Sequence, residues 1–333
     1  MAPRFGELNI TGSLRVSRER GRLESRSPGW SRADQLGVPR MPVHIDDDAD
    51  ARLALYRGIK DRQLAAPFVP GPLGGDPGLF MAEGVTVLGA ALDAGVRWRS
   101  AVFGAAQARS HPGLVARLES LGVPVYTLAA GRIESLAGFD LHRGVLALGQ
   151  RPPAVGPAEL LRRQPPAGQR APGPHSGVFV GLEDLTNHDN VGGVFRSAGA
   201  FGVRGALLSE RTADPLYRKS LRVSCGQAIR VPFARVPDWV AGVSLARAAA
   251  PSIRVVALCT RPGSVPISQA ARVLAQRPDA PVLVLIGSEG EGLSPGAIAA
   301  ADILATIPMA PGVDSLNATV AASIALHRLV DHQ

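Results

Sequence analysis

Five short apolar runs dominate the second half of this 333-residue chain: VFVGLE (178–183), GALLSE (205–210), IRVVALC (253–259), VLVLIGS (282–288) and ILATIP (303–308). Each is rich in branched aliphatic residues and bounded by turn formers, and helix-length sequence separates every neighbouring pair. Parallel strands need long crossover connections, and crossover helices cover the faces of a sheet. The alternation therefore predicts an α/β fold with a mainly parallel sheet and helices on both faces. In open sheets of this kind ligands sit beyond the carboxyl ends of the strands. Any chemistry is expected in the segments that follow the five runs.

A smaller α/β region precedes that sheet. A helix-like run extends from Asp50 to Arg62. Beyond it LFMAEG, WRSAVFG, PVYTL and VLALG alternate with helical stretches at 85–94, 112–121 and 131–137. Residues 151–176 are rich in Pro and Gly and read as a linker with one helical turn at 158–163. Residues 1–40 sustain neither helical nor strand period and read as a disordered leader. The expected organisation is leader 1–40, small substrate domain 41–150, linker 151–176 and main domain 177–333.

Charge and cysteine usage narrow the function classes. The net charge is +8, but eight Arg against four acids in residues 1–40 and four Arg against Glu159 in residues 151–170 account for nearly all of it. Lysine occurs only at Lys60 and Lys219, so the arginine bias also reads as coding composition. A polyanionic partner is compatible with this balance and is not specified by it. No run approaches the roughly 18 apolar residues of a membrane span, and the N-terminus lacks the apolar core of a secretory signal. A cytoplasmic protein with no membrane partner is expected. Cys225 and Cys259 form no CxxC pair and have no His at metal-ligand spacing, so both read as reduced thiols and no metal is expected.

Three segments lie just after apolar runs. The first, DLTNHDNVGGVFRSAGAFG (184–202), is an Asn-rich turn with a Gly pair, and its helix carries Arg196 six residues after Asn190. The second, GSEGEGLS (287–294), is a glycine-rich turn with Glu289 and Glu291. The third follows ILATIP: it turns through Ala310-Pro311-Gly312 and enters an apolar helix opened by Ser315, with Asp314, Asn317 and Thr319 beside it. Taken singly, such turns suit a phosphate cradle, a cofactor contact or plain tight turning. GSEGEG lacks Gly-Lys-Ser/Thr and places acids where a phosphate would sit. His188 reads as a solvated turn residue or a proton relay, and His142, Arg143 and Trp98 as RNA contacts or half-buried structural groups.

In this order the three segments resemble the three motifs of the SpoU/TrmH family of RNA ribose 2'-O-methyltransferases, in the knotted SPOUT superfamily. LYRKSLRVSCGQAIRVPF (216–233) is similar to the family's usual segment between the first two motifs. GLFMAEG and GFDLHRGVLALG resemble the small RNA-binding domain often fused in front. The resemblance implies a C-terminal trefoil knot, S-adenosylmethionine as cofactor, a homodimer through the C-terminal domain, and structured RNA as substrate, ribosomal RNA before transfer RNA. Matched by position, it implies catalytic roles for Asn190, Arg196, Glu289, Ser315 and Asn317, and cofactor contacts from Ile286, Gly287, Ile307, Ser315 and Leu316. It leaves open a base methyltransferase or a protecting module without transfer activity. Small residues along NATVAASIALHRLV, with Ile324, Leu326 and Leu329, suit close packing against a partner chain.

MPVHIDDDADARLALYRG resembles the ordinary start of the front domain. A chain beginning at Met41 is therefore expected to keep the thermal midpoint and activity of the full chain, and a large loss of either would show that the leader folds or grips RNA.

Overall fold

The computed structural model describes residues 41–65, 78–137, 144–163 and 177–330. The expected leader, residues 164–176 of the expected linker, and His142 and Arg143 lie outside the described residues. The first part of the chain runs β1 (Val43–His44), a 3-10 turn (Ala51–Tyr56), α1 (Asp61–Ala65), β2 (Leu79–Glu83), α2 (Val85–Asp93) and β3 (Trp98–Gly104). It continues through α3 (Ala105–Ser110), α4 (Pro112–Ser120), β4 (Val125–Leu128), α5 (Arg132–Ala137) and β5 (Val145–Gln150). The strands form one sheet in the order β1-β4-β3-β5-β2, with β5 antiparallel to both neighbours and the other pairs parallel.

Two expectations for this region need correction. The run from Asp50 to Arg62 is not one helix. Asp50 caps the 3-10 turn by accepting from Arg52 N, the chain turns extended at Arg57, and Gly58 takes a left-handed φ of 55° before α1 begins. That break lets Tyr56 bury its ring and bond Ser100 Oγ at 2.8 Å. Trp98 is 7% exposed and packs edge-on against Phe80 at 5.9 Å, so it belongs to the core and is not an RNA contact.

After α6 (Pro157–Arg162) come β6 (Val178–Leu182), α7 (His188–Ala200), β7 (Gly205–Ser209), α8 (Arg218–Val223), α9 (Gln227–Arg230), β8 (Phe233–Val236) and α10 (Trp239–Ala249). Then follow β9 (Arg254–Leu258), β10 (Val265–Pro266), α11 (Ile267–Ala275), β11 (Val282–Ile286), α12 (Pro295–Ala300), β12 (Ile303–Thr306) and α13 (Ala318–Val330). Seven strands make a wholly parallel sheet in the order β10-β12-β9-β11-β6-β7-β8. All five predicted runs are strands of it. The two unpredicted strands are the edges: β8, whose Arg235 is exposed, and the two-residue β10, which contains a proline that an edge tolerates.

Strand alternation divides the core. Val178, Val180, Val284 and Ile286 face α7, α11 and α13, while Phe179, Leu283 and Leu285 face α6, α10 and α12. The helical turn expected inside the linker is therefore a core element: Leu160 and Leu161 of α6 are buried, and each burial contributes about 1.5–3 kcal/mol. Leu326 and Leu329 are likewise buried within the chain, so they are not available to a partner as the sequence had suggested.

The C-terminal helix also starts later than expected. Asn317, not Ser315, caps α13, accepting from Thr319 N at 2.9 Å and Val320 N at 3.3 Å, while Ser315 lies in the irregular segment before it. The Gly pair of α7 governs how closely its neighbours approach. A Cβ at Gly192 would sit 2.7 Å from the Ser220 carbonyl oxygen of α8, and one at Gly193 would sit 2.5 Å from Thr319 Cγ2 of α13. Because the Ser220 contact is with backbone, Gly192→Ala should destabilise the fold by about 1–3 kcal/mol, read as a lower thermal midpoint. An unchanged midpoint would show that α8 can shift freely.

Candidate active site

A cavity of about 420 Å³ opens at the carboxyl ends of β9, β11 and β12, three neighbouring strands. Leu258, Ile286 and Ile307, from the ends of those strands, give it an apolar wall, and Ala318 and Ala321 of α13 complete it. Ile286, Gly287, Ile307, Ser315 and Leu316, the five expected cofactor contacts, all line this cavity. The loop after β9, Cys259 to Arg261, lines it too and was missed, although the strand-end rule applied to that run as much as to the others.

The loop after β11 folds back on itself. Ser288 N donates to Gly292 O at 3.2 Å and Gly292 N donates to Ser288 O at 3.1 Å, which leaves Glu289, Gly290 and Glu291 at the tip. A Cβ on Gly287 would lie 2.1 Å from the Gly292 carbonyl carbon, so a side chain there would break the turn. The far end of the loop is held by Ser294 N, which donates to Glu183 Oε2 at 2.9 Å just beyond β6.

One hydrogen-bond network joins the three segments singled out in the sequence. Asn190 is 5% exposed, in the first turn of α7, behind the Asn187 cap. Its Nδ2 donates to Glu289 Oε1. Its Oδ1 accepts from Asn317 Nδ2 at 2.9 Å, and Asn317 also reaches Glu289 Oε1 at 3.4 Å. Thr319 Oγ1 donates to the Asn190 backbone oxygen at 3.1 Å and sits 3.3 Å from its Oδ1. The motif resemblance assigns Thr319 no role; its place two residues after the cap, facing the Gly193 gap, is the signal for it.

Not every expected residue joins this network. Ser315 lines the cavity but makes no hydrogen bond among the described residues. Arg196 is exposed on α7, about 9 Å along the helix from Asn190, and has no partner among the described residues. His188 stacks on Tyr217 with centroids 5.4 Å apart and planes at 14°, outside the network. Cys225 and Cys259 are free thiols, and the described residues contain no cluster of three metal ligands.

The cavity's charge is chemically informative. Glu289, Glu291 and Asp314 line it, with Arg261 as the single cation among the described residues. An acid-rimmed, apolar-walled cavity suits a ligand with a flat apolar part and a positive centre, and Glu289 Oε2 makes no hydrogen bond among the described residues, so it can receive one.

Replacing the Asn190 amide by a carboxylate places it beside Glu289. Asn190→Asp should therefore lower the thermal midpoint at neutral pH by like-charge repulsion, and the deficit should shrink as pH falls, because proximity favours a proton shared by the two carboxyls. A pH-independent deficit would contradict the contact.

A model of the SpoU rRNA Methylase family matches residues 177–327. An uncharacterised tRNA/rRNA methyltransferase of Mycobacterium bovis is 33% identical over 210 residues, 63% of this chain and 67% of that one. The AdoMet-bound rRNA methyltransferase from Sinorhizobium meliloti superposes with a TM-score of 0.60 at 26% identity, over 75% of this chain and 86% of that one. The SpoU methyltransferase AviRb from Streptomyces viridochromogenes, in complex with AdoMet, does so at 0.63 and 25% identity, over 84% and 98%. With its parallel sheet, its strand-end cavity and three motif segments bonded to one another, the chain belongs to the SpoU rRNA methylase family.

Proposed function

We propose that this protein is an RNA methyltransferase that uses S-adenosylmethionine to methylate a ribose 2'-hydroxyl, in ribosomal RNA first and transfer RNA second. The observation that carries the reading is the acid-rimmed cavity at the ends of β9, β11 and β12, bordered by the Asn190–Glu289–Asn317 network. S-adenosylmethionine has an apolar base, a sulfonium cation and a zwitterionic tail, and it supplies an electrophilic methyl group. Ile286, Ile307 and Leu316 would hold the base, and the carboxylates would face the cation. Close relatives with AdoMet in their printed descriptions support the same cofactor.

The residues divide the remaining work. A ribose hydroxyl attacks only when oriented and relieved of its proton. A guanidinium stays protonated at ordinary pH, so Arg196 serves as a two-pronged clamp on a phosphate, for which its exposed and unpartnered position leaves it open. A carboxylate can take a proton, and Glu289 has one oxygen fixed by Asn190 and Asn317 with the other available. Ser315, in the irregular segment before α13, offers a hydroxyl to the cavity.

The trefoil knot and the homodimer belong to the same proposal. The packing of α13 against both α7 and α11 supports a buried C-terminal segment. Val313, Leu316 and Val320 leave an apolar surface near the cavity that a second copy would cover, in place of the buried leucines. No helix among the described residues is long and apolar enough to cross a membrane, and work on RNA in the cytoplasm accords with that.

Arg196→Ala should abolish transfer to ribosomal RNA from cells lacking this gene while leaving S-adenosylmethionine affinity nearly intact. Arg196→Lys should be almost as damaging, and Asn317→Ala should slow transfer by about a hundredfold without loss of RNA retention. Calorimetry with the cofactor and filter binding with RNA separate the two terms. Loss of cofactor affinity in Arg196→Ala, with RNA retained, would overturn the assignment.

A further inference from the structure

The stretch from Asp214 to Gly226 is held by two ion pairs to the front domain and by a third to Arg151, the first residue after it. Arg151 Nη2 lies 2.7 Å from Asp214 Oδ2, and Arg218 Nε lies 3.0 Å from Asp61 Oδ1, all four side chains being largely buried. Arg222 Nη1 lies 3.2 and 3.4 Å from the two oxygens of Glu83, a carboxylate only 2% exposed at the end of β2. Arg218 and Arg222 are four residues apart, so α8 presents both from one face. Gly226 meets α2 at Ala90, where an added Cβ would come within 2.7 Å.

The other side of α8 rests on α7. The Ser220 carbonyl and Val223 fill the space beside Gly192, and Lys219 Nζ pairs with Asp189 at 2.7 Å. Asp189 immediately precedes Asn190, and Arg196 extends from the same helix. The front domain, α8 and α7 are thus in continuous contact, with a charge buried at the first junction and close backbone packing at the second. Glu83 is buried, so loss of its partner would leave an uncompensated buried charge, and that cost opposes any displacement of α8 that separates the two groups.

We propose that Glu83 and Arg222 are positioning residues for methyl transfer: their ion pair sets α8 against the front domain and, through Gly192, sets the place of Asn190 and Arg196 on α7. The front domain then shapes the site across α8. This rests on the transfer reaction proposed above, but the coupling itself can be measured without it.

The test uses the full chain with Glu83→Gln, which removes the charge and keeps the shape, and Arg222→Lys, which keeps the charge but withdraws the Nη1 donor that meets both carboxylate oxygens. Hydrogen exchange is followed without ligand. The amides of α7 should exchange about tenfold faster in both variants while those of β11 and α10 keep their rates. Affinity for S-adenosylmethionine should stay within about twofold, and kcat on ribosomal RNA should fall at least about tenfold with KM for the cofactor unchanged. If Glu83→Gln does not fold, Arg222→Lys decides by the same criteria. Unchanged α7 exchange, or a uniform rise across all helices with kcat retained, would overturn the proposal. If the unaltered protein transfers no methyl group, the proposed function fails, and the exchange contrast alone decides whether the ion pair positions α7.

Discussion

The Asn190 side chain makes the bonds on which the candidate site depends. Its amide donates to Glu289 on the loop after β11 and accepts from Asn317 and Thr319 at the mouth of α13, while its own backbone belongs to the first turn of α7. Asn190 lies 99 residues before Glu289 and 127 before Asn317, so one buried amide orients three segments that the chain brings together from afar. A buried amide must have its donors and acceptors met, and removing any partner leaves a desolvated group that costs about 1–3 kcal/mol. The network specifies one arrangement of the loops and keeps Glu289 at the edge of the cavity.

Glycines make that network reachable. Gly193 gives Thr319 the space to approach α7, and Gly192 does the same for α8 on the adjoining surface. Gly287 lets the loop after β11 double back through the Ser288–Gly292 pair, so Glu289 and Glu291 project from a short turn and not from a long mobile one. The sheet beneath supplies the rigid base: β6, β7 and β11 are buried along their whole length, and their alternating faces pack against two separate helical layers. Loops carry the chemistry here because these strands fix where the loops begin.

The sequence made the sheet legible because parallel central strands are apolar on both faces, which leaves unbroken runs such as VLVLI. It concealed β8 and β10, which are short, sit at the edges and carry an arginine and a proline. The Asp50–Arg62 run read as one helix because periodicity registers apolar spacing and not the left-handed turn at Gly58. At the site, the motif resemblance singled out Asn190, Glu289 and Asn317, which the structure brings together, whereas their bonding was not legible. Nothing in spacing says that Asn317, rather than Ser315, caps α13, that Thr319 closes on Asn190, or that Arg196 stands outside the network. Those facts depend on tertiary approach between α7 and α13. The ion pairs on α8 were invisible for the same reason, since Glu83 and Arg222 lie 139 residues apart.

We have proposed that this site moves a methyl group onto the ribose of RNA. It is tested most directly by incubating the purified protein and methyl-deuterated S-adenosylmethionine with total RNA from cells lacking this gene, digesting to nucleosides, and locating the label by mass spectrometry. The account predicts a labelled 2'-O-methylnucleoside. A label on the base, or no incorporation while the protein still binds the cofactor, would contradict it.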